Sequence, residues 1–229
     1  MQDLDDLDGR SIGVIGGTGP QGRGLAYRWA AAGLPVVIGS RDAARAQAAA
    51  DALNAVAGVT GGAVGVRGMA NADCAAAADV VVVAVPWDGH AATIEPLRRA
   101  LAGKLVVDCV NPLGFDKQGP YALTVPEGSA AAQAAALLPE STVVAAFHHV
   151  SAVLLGDETV EKVDTDVLVL GDDRPAVQTV ISLAGIIPGM RGVYGGRLRN
   201  AGQVEALTAN LIAINRRYSA HAGIRITDV

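Results

Sequence analysis

The chain has 229 residues, enough for one large or two modest domains, and 51% of them are hydrophobic, which allows a substantial buried core. Its formal net charge is -5, with 18 basic residues scattered among 23 acidic ones, so no concentrated basic surface for nucleic acid is expected. Only 3% of residues are aromatic, which argues against a stacking surface for single strands and predicts a core of Ala, Val, Leu and Ile.

Neither a membrane-spanning helix nor a secretory signal is predicted. Mean hydropathy is +0.33, but the most apolar run, residues 80–87, is far shorter than the ~20 residues a spanning helix needs. The acidic start, MQDLDDLDGR, lacks the basic and apolar regions of a signal peptide, which predicts a mobile leader and a cytoplasmic protein. Cys74 and Cys109 have no Cys or His at metal-ligand spacing and are interpreted as reduced thiols in or near the core; no metal site is predicted.

A short apolar run opens into a glycine-rich turn in the stretch SIGVIGGTGPQG, residues 11–22. Gly17, Gly19 and Gly22 have the G-x-G-x-x-G spacing of a dinucleotide-binding turn. We expect the first to allow a tight turn, the second to let a pyrophosphate approach the backbone, and the third to let the next helix pack on its strand. Pro20 suits the first position of that helix, whose free N–H groups and dipole favour an anion. The alternative is an ordinary glycine-rich turn.

Strands and helices alternate through the following part of the chain. The run at residues 79–86, DVVVVAVP, has no polar alternation, as expected of a parallel strand buried on both faces. The pattern therefore predicts an α/β fold with a doubly wound parallel sheet of the Rossmann type. The predicted strands lie at residues 11–16, 35–40, 64–66, 79–86, 105–110 and 142–147, and the predicted helices at residues 20–32, 43–57, 72–77, 89–102 and 127–138.

The character of the chain changes after residue 148, where we predict a domain border. Residues 1–148 are assigned to a dinucleotide-binding domain and residues 149–229 to a smaller C-terminal α/β domain. The second part has a strand at residues 166–170, a helix from Asp173, a glycine-rich turn and a long helical pattern at residues 197–218. In that pattern, apolar residues recur at helical spacing, which predicts either a packing face within the domain or a homodimer interface. They are Val204, Leu207, Leu211 and Ile214.

The end of the second strand decides which dinucleotide is held, because it faces the adenosine ribose. An acidic residue there would accept hydrogen bonds from a free 2′-hydroxyl, but this chain has Ser40 and Arg41, with Arg45 one helical turn later. A hydroxyl and two guanidinium groups suit a 2′-phosphate, which predicts NADP rather than NAD. Alternatively, the two arginines are solvated surface charges.

Two further groups of residues are placed at strand ends, where ligands bind in open α/β sheets. His148 and His149 end one strand, either with one of them as a proton donor or with both hydrogen-bonding the domain junction. Pro86 and Trp87 close the central strand near the expected nicotinamide position; alternatively, Pro86 is an ordinary strand terminator. The predicted cofactor contacts are Gly17, Thr18, Gly19, Pro20, Gln21, Gly22, Ser40, Arg41, Arg45, Val85 and Pro86.

Five segments, taken in chain order, resemble the F420-dependent NADP oxidoreductases, which reduce the deazaflavin coenzyme F420 with NADPH. They are GGTGPQG, GSRDAAR, AVPW, AAFHH and GRLRNAGQVEALTANLIAINRRY. The resemblance covers nearly the whole chain after the leader. It implies a Rossmann domain, a small C-terminal domain over the deazaflavin, and hydride transfer between nicotinamide carbon 4 and deazaflavin carbon 5. It also implies that Thr18 reaches a phosphate and that Ser40, Arg41 and Arg45 hold the cofactor. Family members often have Thr where this chain has His149.

Two other functions stay open at this point. An NADP-dependent imine or 2-hydroxy-acid reductase would need a positioned Lys, Asp or His for the substrate proton, and the three lysines, Lys104, Lys117 and Lys162, lie outside any motif. A non-catalytic NADP-sensing regulator would bind NADPH without turnover. Exchange between NADP(H) and F420 needs no acid–base triad, since both partners bring their own chemistry, and none is recognisable here.

Overall fold

The computed structural model describes Leu7, residues 9–56 and residues 65–229. Its strands are β1 (Ile12–Ile15), β2 (Val36–Ser40), β3 (Arg67–Ala70), β4 (Val80–Val83), β5 (Leu105–Asp108), β6 (Leu113–Asp116), β7 (Gly119–Ala122), β8 (Thr142–Ala145), β9 (Thr165–Leu170) and β10 (Met190–Gly196). Its helices are α1 (Pro20–Ala31), α2 (Ala43–Asn54), α3 (Asn71–Ala77), α4 (His90–Ile94), α5 (Arg98–Leu101), α6 (Ala130–Leu137), α7 (Ala152–Gly156), α8 (Arg174–Gly185) and α9 (Ala201–Tyr218). Within these ranges, no helix has the length and apolar character required to cross a bilayer.

Eight strands form one sheet in the order β10-β9-β8-β5-β4-β1-β2-β3, and only the β8–β9 pair is antiparallel. From β1 the chain winds outward through β2 and β3, then returns to β4 on the other side of β1. This reversal is the topological switch point of a doubly wound sheet, and it leaves a crevice at the carboxyl ends of β1 and β4. The predicted Rossmann-type fold class is confirmed.

The apolar runs form the strands that the sequence predicts because the central strands are covered on both faces. All four residues of β1 and all four of β4 are buried. Their side chains alternate between two cores, one packed under α1 and α2 and the other under α3 to α6. The predicted helix starts are confirmed at α1, which begins at Pro20, and at α2, where the Asp42 carboxylate accepts hydrogen bonds from two backbone N–H groups.

Several predicted elements lie elsewhere or have another form. The third strand is Arg67–Ala70, not residues 64–66; residue 64 and most of the acidic leader lie outside the described residues. Gly68 brings β3 against α2, since a Cβ there would come within 2.3 Å of the helix backbone. The helix predicted at residues 89–102 is divided into α4 and α5 by a 3₁₀ turn containing Pro96, which has no N–H to continue it. The segment after residue 110, where no strand or helix is predicted, contains the β6–β7 hairpin, and the predicted glycine-rich turn contains strand β10.

The C-terminal part of the chain joins the same sheet rather than forming a sheet of its own. β8 pairs with β9 through Ala145 and Leu170, so the hydrogen-bonded sheet continues across residue 148. Helix α9 then packs back on the first part of the chain, where the buried Glu205 carboxylate accepts the N–H groups of Ala130 and Ala131 at 2.8 and 3.1 Å. Division of the chain into domains near residue 148 stays a prediction.

Candidate active site

The turn between β1 and α1, together with the first turn of α1, contains four glycines, and the structure gives them different roles. Gly16 has φ +79°, so it is the left-handed residue of the turn, a part that the sequence spacing assigned to Gly17. Gly17 is required by space instead, since its Cβ would lie 2.9 Å from the Val14 carbonyl oxygen. Gly22 lets α1 approach the turn, because its Cβ would lie 2.8 Å from the Gly16 oxygen. At Gly19 a Cβ would meet only that same oxygen, at 3.4 Å.

A cavity of about 540 Å³, here called the glycine-loop cavity, lies between this turn, the end of β2 and the segment after β4. The structure therefore brings together side chains and backbone from three separate parts of the chain. Of the predicted cofactor contacts, those that line it are Thr18, Gly19, Ser40, Arg41, Arg45, Val85 and Pro86. Gly17, Pro20, Gln21 and Gly22 are not among its lining residues.

The end of β2 presents two exposed guanidinium groups to the glycine-loop cavity. Arg41 and Arg45 are both exposed, and neither forms an ion pair with another side chain in the described ranges. Asp42 also borders the cavity, but its carboxylate is occupied by the N–H groups at the start of α2. Ser40 is buried and its hydroxyl accepts the Asp42 N–H at 3.3 Å. This arrangement offers positive charge to an anion at the carboxyl end of β2.

A second cavity of about 440 Å³, here called the histidine cavity, lies against the carboxyl ends of β4, β5 and β8 and is bordered by α7 and α9. Its walls include His148, His149, Cys109, Thr208 and Leu211. Ala84, Val85 and Pro86 line both cavities. The two spaces therefore meet at the segment that follows the central strand.

The two histidines differ in how their rings are held. Both are nearly fully buried, at 3% and 4% exposure, and burial lowers the pKa of each to about 4, so both are neutral at pH 7. His149 Nε2 accepts the Leu168 N–H at 3.3 Å, while neither ring nitrogen of His148 has a hydrogen-bond partner in the described structure. The His148 carbonyl oxygen accepts hydrogen bonds from the Asn111 amide at 2.7 Å and the Thr208 hydroxyl at 3.1 Å.

Trp87 is supported from beneath by a buried polar network that the sequence did not reveal. Its ring stacks on that of His90 with centroids 5.6 Å apart. His90 Nε2 lies 2.7 Å from the Asp108 carboxylate and Nδ1 lies 2.9 Å from the Gln133 side-chain oxygen. Burial opposes a charge on His90, but the hydrogen bond and charge of Asp108 raise its pKa above the ordinary value. The sequence feature that could have indicated this network is Asp108, an acidic residue at the end of the otherwise apolar strand β5.

Both cysteines are free and buried, as predicted. Burial raises the pKa of Cys74 to about 12 and moves that of Cys109 in the same direction, so neither is a reactive thiolate at neutral pH. Among the residues with described placement, no group of three or more His, Cys, Asp or Glu side chains is arranged to hold a metal ion.

A glycine turn at a topological switch point, positive charge at the end of β2 and an adjoining second cavity are the features of a dinucleotide-binding protein of the oxidoreductase type. The sequence profile of the family described as NADP oxidoreductase, coenzyme F420-dependent, matches residues 11–112. The F420-dependent NADP reductase of Methanothermobacter thermautotrophicus is 42% identical over 223 residues, which are 95% of each chain. That of Methanocaldococcus jannaschii is 38% identical over 95% of this chain and 98% of the relative. The chain belongs to the F420-dependent NADP oxidoreductase family.

A solved structure agrees with this assignment. The crystal structure of a candidate F420-dependent NADP reductase from Arthrobacter sp. FB24 superimposes with a TM-score of 0.76 at 29% sequence identity. The superposition covers 96% of this chain and 100% of that one. The likeness therefore extends through α9 and is not confined to the nucleotide-binding part.

Proposed function

We infer that the protein transfers a hydride reversibly between NADPH and the deazaflavin coenzyme F420. The observation that carries this inference is the meeting of the two cavities at Val85 and Pro86. A nicotinamide that extends from the glycine-loop cavity to this segment would face a planar ring in the histidine cavity. Two redox cofactors bring their own chemistry, so the protein has to hold two rings in contact and exclude water.

The residues of the glycine-loop cavity fit NADP(H). Gly19 leaves its side of the turn open, and the free N–H groups at the start of α1 favour the pyrophosphate. Ser40, Arg41 and Arg45 would bind the 2′-phosphate through a hydroxyl and two charged, exposed donors. Thr18, also in the lining, would reach a phosphate oxygen.

The histidine cavity fits a flat, largely apolar ring with polar edges. Valine, leucine and isoleucine side chains contribute to its wall, α9 lies along one side of it, and a ring bound there would displace water from the reacting carbons. His148 and His149 lie in this wall with their rings buried, so they would bound the ring site by contact. When bound, the deazaflavin supplies an acceptor carbon for hydride.

Deuterium transfer tests this function. With NADPH deuterated at carbon 4, deuterium is expected at carbon 5 of the reduced deazaflavin without exchange into solvent, as direct transfer in a ternary complex requires. Mass spectrometry or proton NMR of the product measures it. If F420 is inert while an imine or a keto acid consumes NADPH, the protein is a reductase of small substrates. If NADPH binds tightly and no acceptor consumes it, the protein is a regulator.

Replacing His148 with alanine is expected to raise KM for F420 by a larger factor than it lowers kcat. The alanine variant of His149 should change both constants in the same directions. Because the pKa of His148 is lowered to about 4, the ring is neutral at pH 7 and suited to contact rather than to proton donation as imidazolium. Steady-state kinetics from pH 5 to 8 should therefore give profiles of the same shape for wild type and variant. A loss of turnover beyond about ten-thousandfold at constant KM would instead identify a general acid.

We also propose a cytoplasmic homodimer that uses the far end of α9. Ile214 and Tyr218 on this helix are 40% and 73% exposed, one turn apart. The β6–β7 hairpin, which packs on α9, adds Phe115 and Tyr121 at 61% and 47% exposure. Large apolar side chains on neighbouring elements favour burial by a second copy.

A further inference from the structure

Gln21 makes a hydrogen bond that its position in the glycine motif does not predict. Its side-chain Nε2 donates to the Phe147 carbonyl oxygen at 3.1 Å, across 126 positions of sequence. The residue lies in the first turn of α1, yet it lines the histidine cavity and not the glycine-loop cavity. Its amide therefore faces the acceptor side of the site.

The carbonyl that Gln21 binds belongs to a strained residue. Phe147 has φ +63°, a left-handed conformation that a bulky side chain adopts only when its surroundings enforce it. Its ring is fully buried and meets Trp29 edge to face, with centroids 5.6 Å apart. The Val150 N–H also approaches the same carbonyl, but at 3.5 Å, so Gln21 is the closer donor.

The backbone on either side of this carbonyl is held by different elements. His148, the next residue, has its carbonyl oxygen bound by Asn111 after β5 and by Thr208 on α9. Gln21 supplies the corresponding contact from α1. Side chains from three separate parts of the chain thus hold the backbone from which His148 and His149 enter the cavity.

We propose that Gln21 is a positioning residue for the acceptor site, holding the Phe147 carbonyl and thereby the two histidines that wall the histidine cavity. It acts through these residues and not by binding the dinucleotide. Since Gln21 follows Pro20 in α1, it also joins the helix that would receive the pyrophosphate to the wall of the acceptor cavity. The identity of the acceptor, F420, rests on the proposed function; the positioning contact does not.

Two substitutions separate a hydrogen bond from packing. Gln21→Met keeps a long side chain but removes the donor, and we expect KM for F420 to rise about five- to thirtyfold. NADPH affinity, measured by direct titration, should change less than about twofold, within the range of a surface substitution. In Gln21→Glu only the protonated carboxyl can donate, so KM for F420 should rise with pH as the carboxyl ionises, and wild type should lack this dependence.

Gln178→Glu is the matched control, since Gln178 is exposed on α8 and lines neither cavity. Gln178→Glu should leave KM for F420, the affinity for NADPH and the pH dependence of both as in wild type. A tenfold loss of NADPH affinity in Gln21→Met with an unchanged KM for F420 would overturn the proposal and make Gln21 a dinucleotide ligand. An absence of added pH dependence in Gln21→Glu would also overturn it.

Fluorescence tests the contact without turnover. In a Trp87→Phe background, Trp29 is the remaining tryptophan and reports on the Phe147 ring beside it. We expect Gln21→Met to shift its emission and Gln178→Glu to leave it unchanged. An unchanged emission in Gln21→Met would show that the Phe147 segment does not depend on Gln21. This result stands whether or not the wild-type protein reduces F420.

Discussion

Arg41→Ala is expected to raise the Kd for NADPH by about ten- to a hundredfold and to leave NADH binding nearly unchanged. Arg41 is exposed at the end of β2 and lines the glycine-loop cavity, where it would bind the 2′-phosphate that only NADPH carries. A hydrogen bond to a charged group contributes about 1.5–3 kcal/mol, which corresponds to this range of affinity. Titration of both dinucleotides by fluorescence or calorimetry measures the effect.

The control for a general effect of charge is Arg99→Ala. Arg99 is exposed on α5 and does not line the glycine-loop cavity, so NADPH affinity should change less than about twofold. The advantage of NADPH over NADH should also fall with rising salt in wild type, since a phosphate–guanidinium contact at an exposed site is screened. Equal losses for NADPH and NADH in Arg41→Ala would contradict the 2′-phosphate assignment.

Gly19→Ala is expected to weaken NADPH binding by about a hundredfold or more while the protein keeps its thermal stability. The backbone of Gly19 has φ -80°, which alanine adopts without strain, and its Cβ would meet one atom at 3.4 Å. Folding therefore tolerates the methyl group. The same methyl group would fill the space through which a pyrophosphate reaches the backbone N–H groups, and each lost hydrogen bond to an anion costs about 1.5–3 kcal/mol.

Gly22→Ala provides the contrast within the same turn. Its Cβ would lie 2.8 Å from the Gly16 oxygen and 2.9 Å from the Gly17 Cα, both backbone atoms. We expect this variant to lose thermal stability together with NADPH binding, because α1 must move away from the turn. Differential scanning fluorimetry and NADPH titration on both variants test the pair. Wild-type affinity in Gly19→Ala would show that the pyrophosphate does not approach at this residue.

Much of the first half of the fold follows from patterns that are local in the sequence. The apolar run of β4 predicts a strand buried on both faces whatever its partners are. Pro20 and Asp42 mark helix starts because proline has no N–H to lose and the Asp42 carboxylate accepts N–H groups two and three residues ahead. The glycine spacing lies within the β1–α1 unit and the Ser-Arg pair within the β2–α2 unit, so each can be read from its own short stretch of sequence.

Weak local signals account for the elements that the sequence missed. β10 contains three glycines and reads as a turn, yet it pairs with β9 and packs on α8. Gly192 is needed there because a Cβ would lie 2.6 Å from the Ile181 Cα. A strand whose identity depends on a neighbouring strand and helix cannot be recognised from its own residues.

The identity of the cofactor could thus be predicted from residues adjacent in sequence, but the acceptor side of the site could not. The wall shared by the two cavities, the bond from Gln21 to Phe147 and the pair of His90 with Asp108 each join residues brought together only by folding. The neutral state of His148 and His149 is set by burial, a property of the packed sheet and α9 and not of the two residues. Backbone geometry and hydrogen bonding over a few residues are encoded locally, whereas solvent exclusion and long-range contacts exist only once the chain has closed on itself.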